Sequence, residues 1–388
     1  MSDFAVEREH RVSPLELFFD LVFVFAFTQV TTLWLEQQTW GGLGRGLLVI
    51  VALWWAWASF AWLTNAADAE AGVVTVVILC ATAALFIAAL AVPEAFGAHR
   101  LAFGLAFFAV VAAFVALYAL VSKQRPEQLA AILRIAPTEL AGAGLVVAAA
   151  FVPSPLRPLL WALALAVGFF GPQLTGLSGW QVEPSHFAER HGLIVIIAIG
   201  ESLGAIGFGA RDSGLGAGVV LDAVLGLVGA ASFWLAYFDF ASRGVEERMT
   251  ARRGVDRVAF ARDAYTYAHL PMVVGIILFA FGMRTTLVHV HSHLHVIPAL
   301  ALCCGPAVYL LGFVALRWRV SRSLGRGRPA AAVVFAGLTP VAMSVPALAA
   351  VALVAAVWLG LHAYELTIWR EERARRRAAA VGAAVAPE

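Results

Sequence analysis

Run after run of roughly twenty mostly apolar residues follows along this chain, and no other feature restricts its fold as much. In lipid a backbone must satisfy its own hydrogen bonds, so such runs become helices. They fall at 14–34, 43–63, 73–92, 101–121, 135–152, 156–175, 187–209, 217–239, 264–284, 296–316, 330–346 and 347–368. Composition agrees, since 61% of the 388 residues are hydrophobic and 13% charged, against about 45–50% and 25% in soluble domains. No polar stretch is long enough to bury a core of its own. The expected fold class is therefore all-α, a polytopic transmembrane helical bundle of about twelve spans. The last pair of runs is the least regular, because Pro340 and Pro346 lie near the break between them.

Charge decides the number of spans. With twelve, only Arg45, Arg100, Arg157, Arg211 and Arg284 of the 27 lysines and arginines fall on one side. The rest lie on the other, among them Arg8, Arg11, six arginines within 243–262 and the Arg370–Arg377 tail. That asymmetry is the positive-inside pattern, with both termini cytoplasmic, and eleven spans would violate it at Arg373–Arg377. The first run contains Glu16 and Asp20 and no cleavage site, so it is not a signal peptide. Cys80, Cys303 and Cys304 all sit in apolar segments, which excludes a disulfide framework or zinc fingers.

Twelve spans divide near residue 180 into two six-helix halves, 1–180 and 181–388, the second with a basic C-terminal tail. A shift of 172 aligns Leu21 with Leu193, Val24 with Ile196, Ala26 with Ala198 and Gln29 with Glu201. With an even number of spans per half, such a repeat is parallel rather than inverted.

Ionisable residues inside spans cost roughly 2.5–3.5 kcal/mol each on insertion scales, so they mark the candidate site. Glu16 and Asp20, four apart, share one face of the first helix, with Arg190 of the seventh as an available partner. Arg190 and Glu201 are eleven apart and nearly in line on one face of theirs. Glu201 lies about twelve residues, roughly 18 Å, into its span, too deep to reach either surface. Gly200, Gly204 and Gly207 around it are expected to let neighbouring helices approach. Glu16, Asp20, Glu189 and Arg190 are expected to form a cytoplasmic mouth. His269, two residues before Pro271, is a second candidate relay, because proline frees a backbone carbonyl and histidine titrates near neutrality.

Other features have blander readings. Glu139, Asp222 and Asp239 are expected near span ends, where carboxylates snorkel or cap. Trp54, Trp55, Trp57 and Trp62 read as helix–helix filling, with Trp40 in the interfacial belt. His289, His291, His293 and His295 alternate in an external loop and, if extended, would face one way as weak metal ligands.

PLELFFDLVFVFAFTQVT (Pro14–Thr31), HFAERHGLIVIIAIGES (His186–Ser202) and YTYAHLPMVVGIILFAFG (Tyr265–Gly282) resemble the bacterial low-temperature-requirement A family. The resemblance implies a multi-spanning protein of the bacterial inner membrane and implies little chemistry, since the family's name records a cold-growth phenotype. Phe18-Phe19-Asp20 partly resembles the Phe-Ser-Asp signature of a potassium-channel family but lacks the serine.

No P-loop, HExxH, GxSxG or strand-borne GxGxxG is present, so the sequence names no catalytic nucleophile and no cofactor. The basic residues sit in short loops, which speaks against a nucleic-acid partner. The expected partners are membrane lipids and a small ion or solute, with a homo-oligomer left open. The reading is a channel or proton-linked transporter with Glu201 as its titrating group. The alternatives are an intramembrane lipid-modifying enzyme or a membrane stress sensor.

Overall fold

The computed structural model describes residues 12–67, 69, 72–239 and 242–368. Arg8, Arg11 and the Arg370–Arg377 tail lie outside the described residues. The described chain is all-helical apart from turns and one isolated bridge, His293 to Pro346.

The two helices that carry the carboxylates each begin with a local cap. α1 (Pro14–Glu36) starts at Ser13, whose hydroxyl accepts from the Glu16 N–H while the Glu16 carboxylate accepts from the Ser13 N–H. This reciprocal box, with proline at the first helical position, fixes where the helix starts and where Glu16 points. α7 (Pro184–Ser213) starts likewise at Glu183, whose carboxylate accepts from the Ser185 and His186 N–H groups.

Between them run α2 (Trp40–Ala66), α3 (Gly72–Ala91), α4 (Arg100–Val121), α5 (Pro126–Ala148) and α6 (Arg157–Thr175). After α7 come α8 (Ala217–Phe238), the short α9 (Ser242–Thr250) and α10 (Gly254–Ala261), and a π-helical turn, Arg262–Tyr267. α11 (His269–Val288), α12 (Val296–Ser321), α13 (Gly327–Gly337), α14 (Thr339–Ser344) and α15 (Ala347–Ile368) complete the chain. Among the described residues eleven helical stretches are long and apolar enough to cross a membrane, Gly254–Val288 counting as one.

The irregular stretch before Ala347 supplies one more traverse in two pieces. At one end Arg328 of α13 donates to Glu365 near the end of α15 (2.8 Å) and to the Ala236 carbonyl (3.1 Å). At the other end Ala347 and Leu348 donate to the carbonyls of Ser292 and Val290, in the loop between α11 and α12. α13 and α14 thus cover the depth that α15 retraces. They are broken between Gly337 and Thr339, where Pro340 cannot donate a helical hydrogen bond. Twelve traverses follow, and both described ends lie on one side. Val12 bonds Glu189 near the start of α7, Gly192 faces the rings of Tyr237 and Phe238, and Arg328 links Ala236 to Glu365.

Neighbour relations among the helices of residues 14–175 recur among those of residues 184–368. α1 contacts α2 and α3, α3 contacts α4, α4 contacts α5, α5 contacts α6, and α2 contacts α6. In the same order α7 contacts α8 and α11, α11 contacts α12, α12 contacts α13, α13 contacts α15, and α8 contacts α15. The two sets meet mainly where α1 lies against α7 and α11.

Two expectations need correction here. A Cβ added at Gly200 or Gly207 would meet nothing within 4 Å, and at Gly204 only Phe208 at 3.9 Å. These glycines sit about 60–120° around the helix from Glu201, on a face turned away from its neighbours. Close approach occurs instead between α11 and α12, where a Cβ on Gly275 would stand 2.4 Å from the Gly305 carbonyl. The fifth helix begins at Pro126 rather than near residue 135, with Pro137 inside it, so Glu139 is mid-helix and buried rather than terminal.

Candidate functional site

α1 and α7 run side by side from a common level, and their facing surfaces carry most of the buried charge. Arg190 is fully buried. Its Nη1 lies 3.0 Å from Glu16 Oε1 and its Nη2 2.9 Å from Asp20 Oδ1. Asp20 Oδ1 also accepts from the Trp57 indole (2.9 Å), and the Arg190 guanidinium lies 5.8 Å from that ring's centre.

His186, one helical turn before Arg190 and on the same face, lies 3.1 Å from Glu16. Its tautomer follows from its neighbours. The Asn65 carbonyl oxygen accepts from the Glu183 N–H (2.8 Å), which directs the Asn65 amide at the Glu183 carbonyl and at His186 Nδ1 (3.2 Å). Nδ1 therefore accepts, and Nε2 holds the proton it donates to Glu16. The network sets two carboxylates against one guanidinium and one imidazole, and among the described residues Asp20 Oδ2 is buried without a hydrogen-bond partner. Glu189 is exposed at the rim, accepts from the Val12 N–H (3.2 Å) and does not join this network.

Just inside lies a histidine pair. The Nδ1 of His191 pairs with the Phe187 carbonyl (2.8 Å) and that of His269 with the Ala264 carbonyl (2.9 Å). Each Nδ1 therefore carries the proton. His269 Nε2 accepts from the Tyr237 hydroxyl at 2.9 Å, whereas His191 Nε2 is buried with no hydrogen-bond partner among the described residues. The two rings lie 5.2 Å apart. The backbone beside them is π-helical, and the Thr266 carbonyl within that turn accepts from the Trp54 indole at 2.9 Å.

Glu201 sits seventeen residues beyond Pro184, about 26 Å along α7, and 3% exposed. Thr28 of α1 donates to it across the interface. Gln29, which the 172-residue shift pairs with Glu201, is the next residue along. Among the described residues Glu201 makes no ion pair. At the depths between it and Arg190, Phe23 and Phe27 of α1 and Ile194, Val195 and Ala198 of α7 are all buried apolar side chains. Farther along, Asp222 accepts from Thr286 (2.9 Å) and leaves its second oxygen buried and unpartnered. That carboxylate neither snorkels nor caps.

Arg190 and Glu201 thus face α1 together, as their spacing requires, and Glu16, Asp20 and Arg190 form one cluster. His269 stands beside His191 rather than beside Glu201. Of the four loop histidines, His289 and His291 lie in a turn, His293 in the isolated bridge and His295 at the cap of α12, so they do not form one extended row. Among the described residues no group of three His, Cys, Asp or Glu side chains is placed to hold a metal.

Sequence reasoning left His186, His191, Thr28 and the tryptophans outside the site. His186 was readable from its spacing of four to Arg190. The tryptophans are more than filling. Trp55 donates to Glu139 (2.8 Å) and Trp62 to the Thr266 hydroxyl (3.0 Å). With Trp54 and Trp57, each of these four tryptophans satisfies a buried acceptor outside α2.

The family model described as bacterial low temperature requirement A protein (LtrA) matches residues 11–363. An uncharacterized protein of Rhizobium meliloti (strain 1021) is 30% identical over 320 residues, covering 80% of this chain and 78% of its own length. No solved structure matches the chain.

Proposed function

The chain belongs to the bacterial low temperature requirement A family of multi-pass membrane proteins, and from that premise we propose that it moves a small ion or solute along the α1–α7 interface, coupled to protons. The observation that carries this reading is Glu201, a carboxylate buried deep in the bundle and bound by Thr28 across the α1–α7 interface. A buried carboxylate that makes no close ion pair among the described residues is suited to receive a moving proton or cation.

Glu16, Asp20 and Arg190 form the inner mouth, with Glu189 at its rim, and their carboxylates attract the moving cation. His269, paired with His191, stands one step inside as a relay. The apolar layer between Arg190 and Glu201 makes the described conformation closed, so movement requires α1 and α7 to part, as in rocking of two parallel repeats. The arginines of 243–262 and 317–328, at the end where Glu16 lies, favour that end as cytoplasmic in a bacterial inner membrane, with both termini inside.

Thiol accessibility tests the opening. In a variant with Cys80, Cys303 and Cys304 replaced, Thr28→Cys reconstituted in liposomes is expected to react with a membrane-impermeant thiol reagent. The rate should change when an ion or pH gradient is imposed. If Thr28→Cys stays unreactive from both sides under every gradient while His291→Cys in the exposed loop reacts, the interface does not open and the proposal fails.

A further inference from the structure

We infer that the cavity between α2, α5 and the π-helical turn is a binding site for a small zwitterion of the amino-acid type, its ammonium on Glu139 and its carboxylate on Arg262. The cavity measures ≈ 60 Å³. At about 15 Å³ per water that is room for roughly four waters, the bulk of a very small organic solute. Its walls are the rings of Trp55, Trp62, Phe114, Trp180 and Tyr267, and Glu139 and Arg262 both border it. Trp55 and Trp62 are seven apart and so share a face of α2. Trp57, on another face, serves the Asp20 network.

Glu139 is 3% exposed, and its one hydrogen bond among the described residues is from Trp55. Among the described residues no Lys, Arg or His forms an ion pair with it. A carboxylate kept in an aromatic box without a counter-ion is suited to an ammonium group, which gains both the charge and the ring faces.

Arg262 supplies the opposite charge. It contacts Asp263 at 2.7 Å, but Asp263 is shared with Arg319, also at 2.7 Å, so two guanidinium groups divide one carboxylate. Arg262 also lies 5.7 Å over the Tyr267 ring that lines the cavity. A lone cation would meet this surplus positive charge, and a lone anion would meet Glu139. A molecule carrying both charges matches both. The site uses a different face of α2 from the α1–α7 interface, and its occupancy does not rest on the transport reading.

Calorimetric titration of the purified full-length protein in detergent tests the assignment, with glycine and β-alanine as probes. At least one is expected to bind saturably, at least tenfold tighter than tetramethylammonium or acetate. Glu139→Gln and Arg262→Gln should each weaken that binding at least tenfold. Should either variant fail to fold, the comparison of zwitterion, cation and anion on the wild-type protein still decides. Absence of saturable binding by both probes, affinity unchanged in both variants, or tetramethylammonium binding as tightly as the zwitterion would each overturn it.

Discussion

Arg190→Ala is expected to lower stability by about 3–5 kcal/mol, the range for breaking a buried ion pair by removing one partner. The size follows from what remains. Glu16 and Asp20 are 2% and 0% exposed, and without the guanidinium their facing cation is gone. His186 cannot replace it while its Nδ1 accepts from Asn65. Thermal melting in detergent measures the loss, and Asp20→Asn in the Arg190→Ala background should recover part of it by removing one stranded charge. Arg190→Lys keeps the charge but not the fork that reaches both carboxylates, so it should fall between. A fall of less than about 1 kcal/mol for Arg190→Ala would mean that water reaches these carboxylates and that the network is not buried.

Gly275→Ala is the second large effect, and it acts through backbone rather than charge. A Cβ at Gly275 would stand 2.4 Å from the Gly305 carbonyl and 2.6 Å from the Tyr309 nitrogen, and neither can rotate away. From the other side a Cβ at Gly305 would stand 2.7 Å from the Gly275 carbonyl. Overpacking typically costs about 1–3 kcal/mol where side chains can adjust, and here helices must separate, so the loss should reach at least the top of that range. Gly275→Leu should prevent recovery of folded protein. Because both substitutions spread the same pair, the double variant Gly275→Ala/Gly305→Ala should cost clearly less than the sum of the singles. Additive losses would contradict a shared contact.

The helical class and the spans could be read in the sequence because a membrane leaves few alternatives for long apolar runs. The placement of Glu16, Asp20 and Arg190 was equally readable, since spacings of four and eleven fix helix faces before any neighbour is known. Faces fail where every face is apolar. In α2 nothing in the pattern distinguishes Trp55, which serves Glu139, from Trp57, which serves Asp20. The same ambiguity misplaced Gly200, Gly204 and Gly207, whose small size suits either a helix contact or a lipid face. The start of α5 was missed because Glu127 and Arg134 make its first turns look like a loop, although Pro126 stands where a first helical residue belongs. The histidine loop needed an extended backbone to act as a ligand set, and residue alternation alone does not supply one.

The central claim is that a small ion or solute passes between α1 and α7 by way of Glu201. Reconstitution in liposomes holding a pH-sensitive dye, with K⁺, Na⁺ and pH gradients imposed in turn, tests it most directly when wild type and Glu201→Gln are compared. The account predicts dissipation of at least one gradient by the wild type. In Glu201→Gln that flux should be at least tenfold slower, with the melting temperature essentially unchanged. Equal flux in the two proteins, or no flux by the wild type under any gradient, would contradict it.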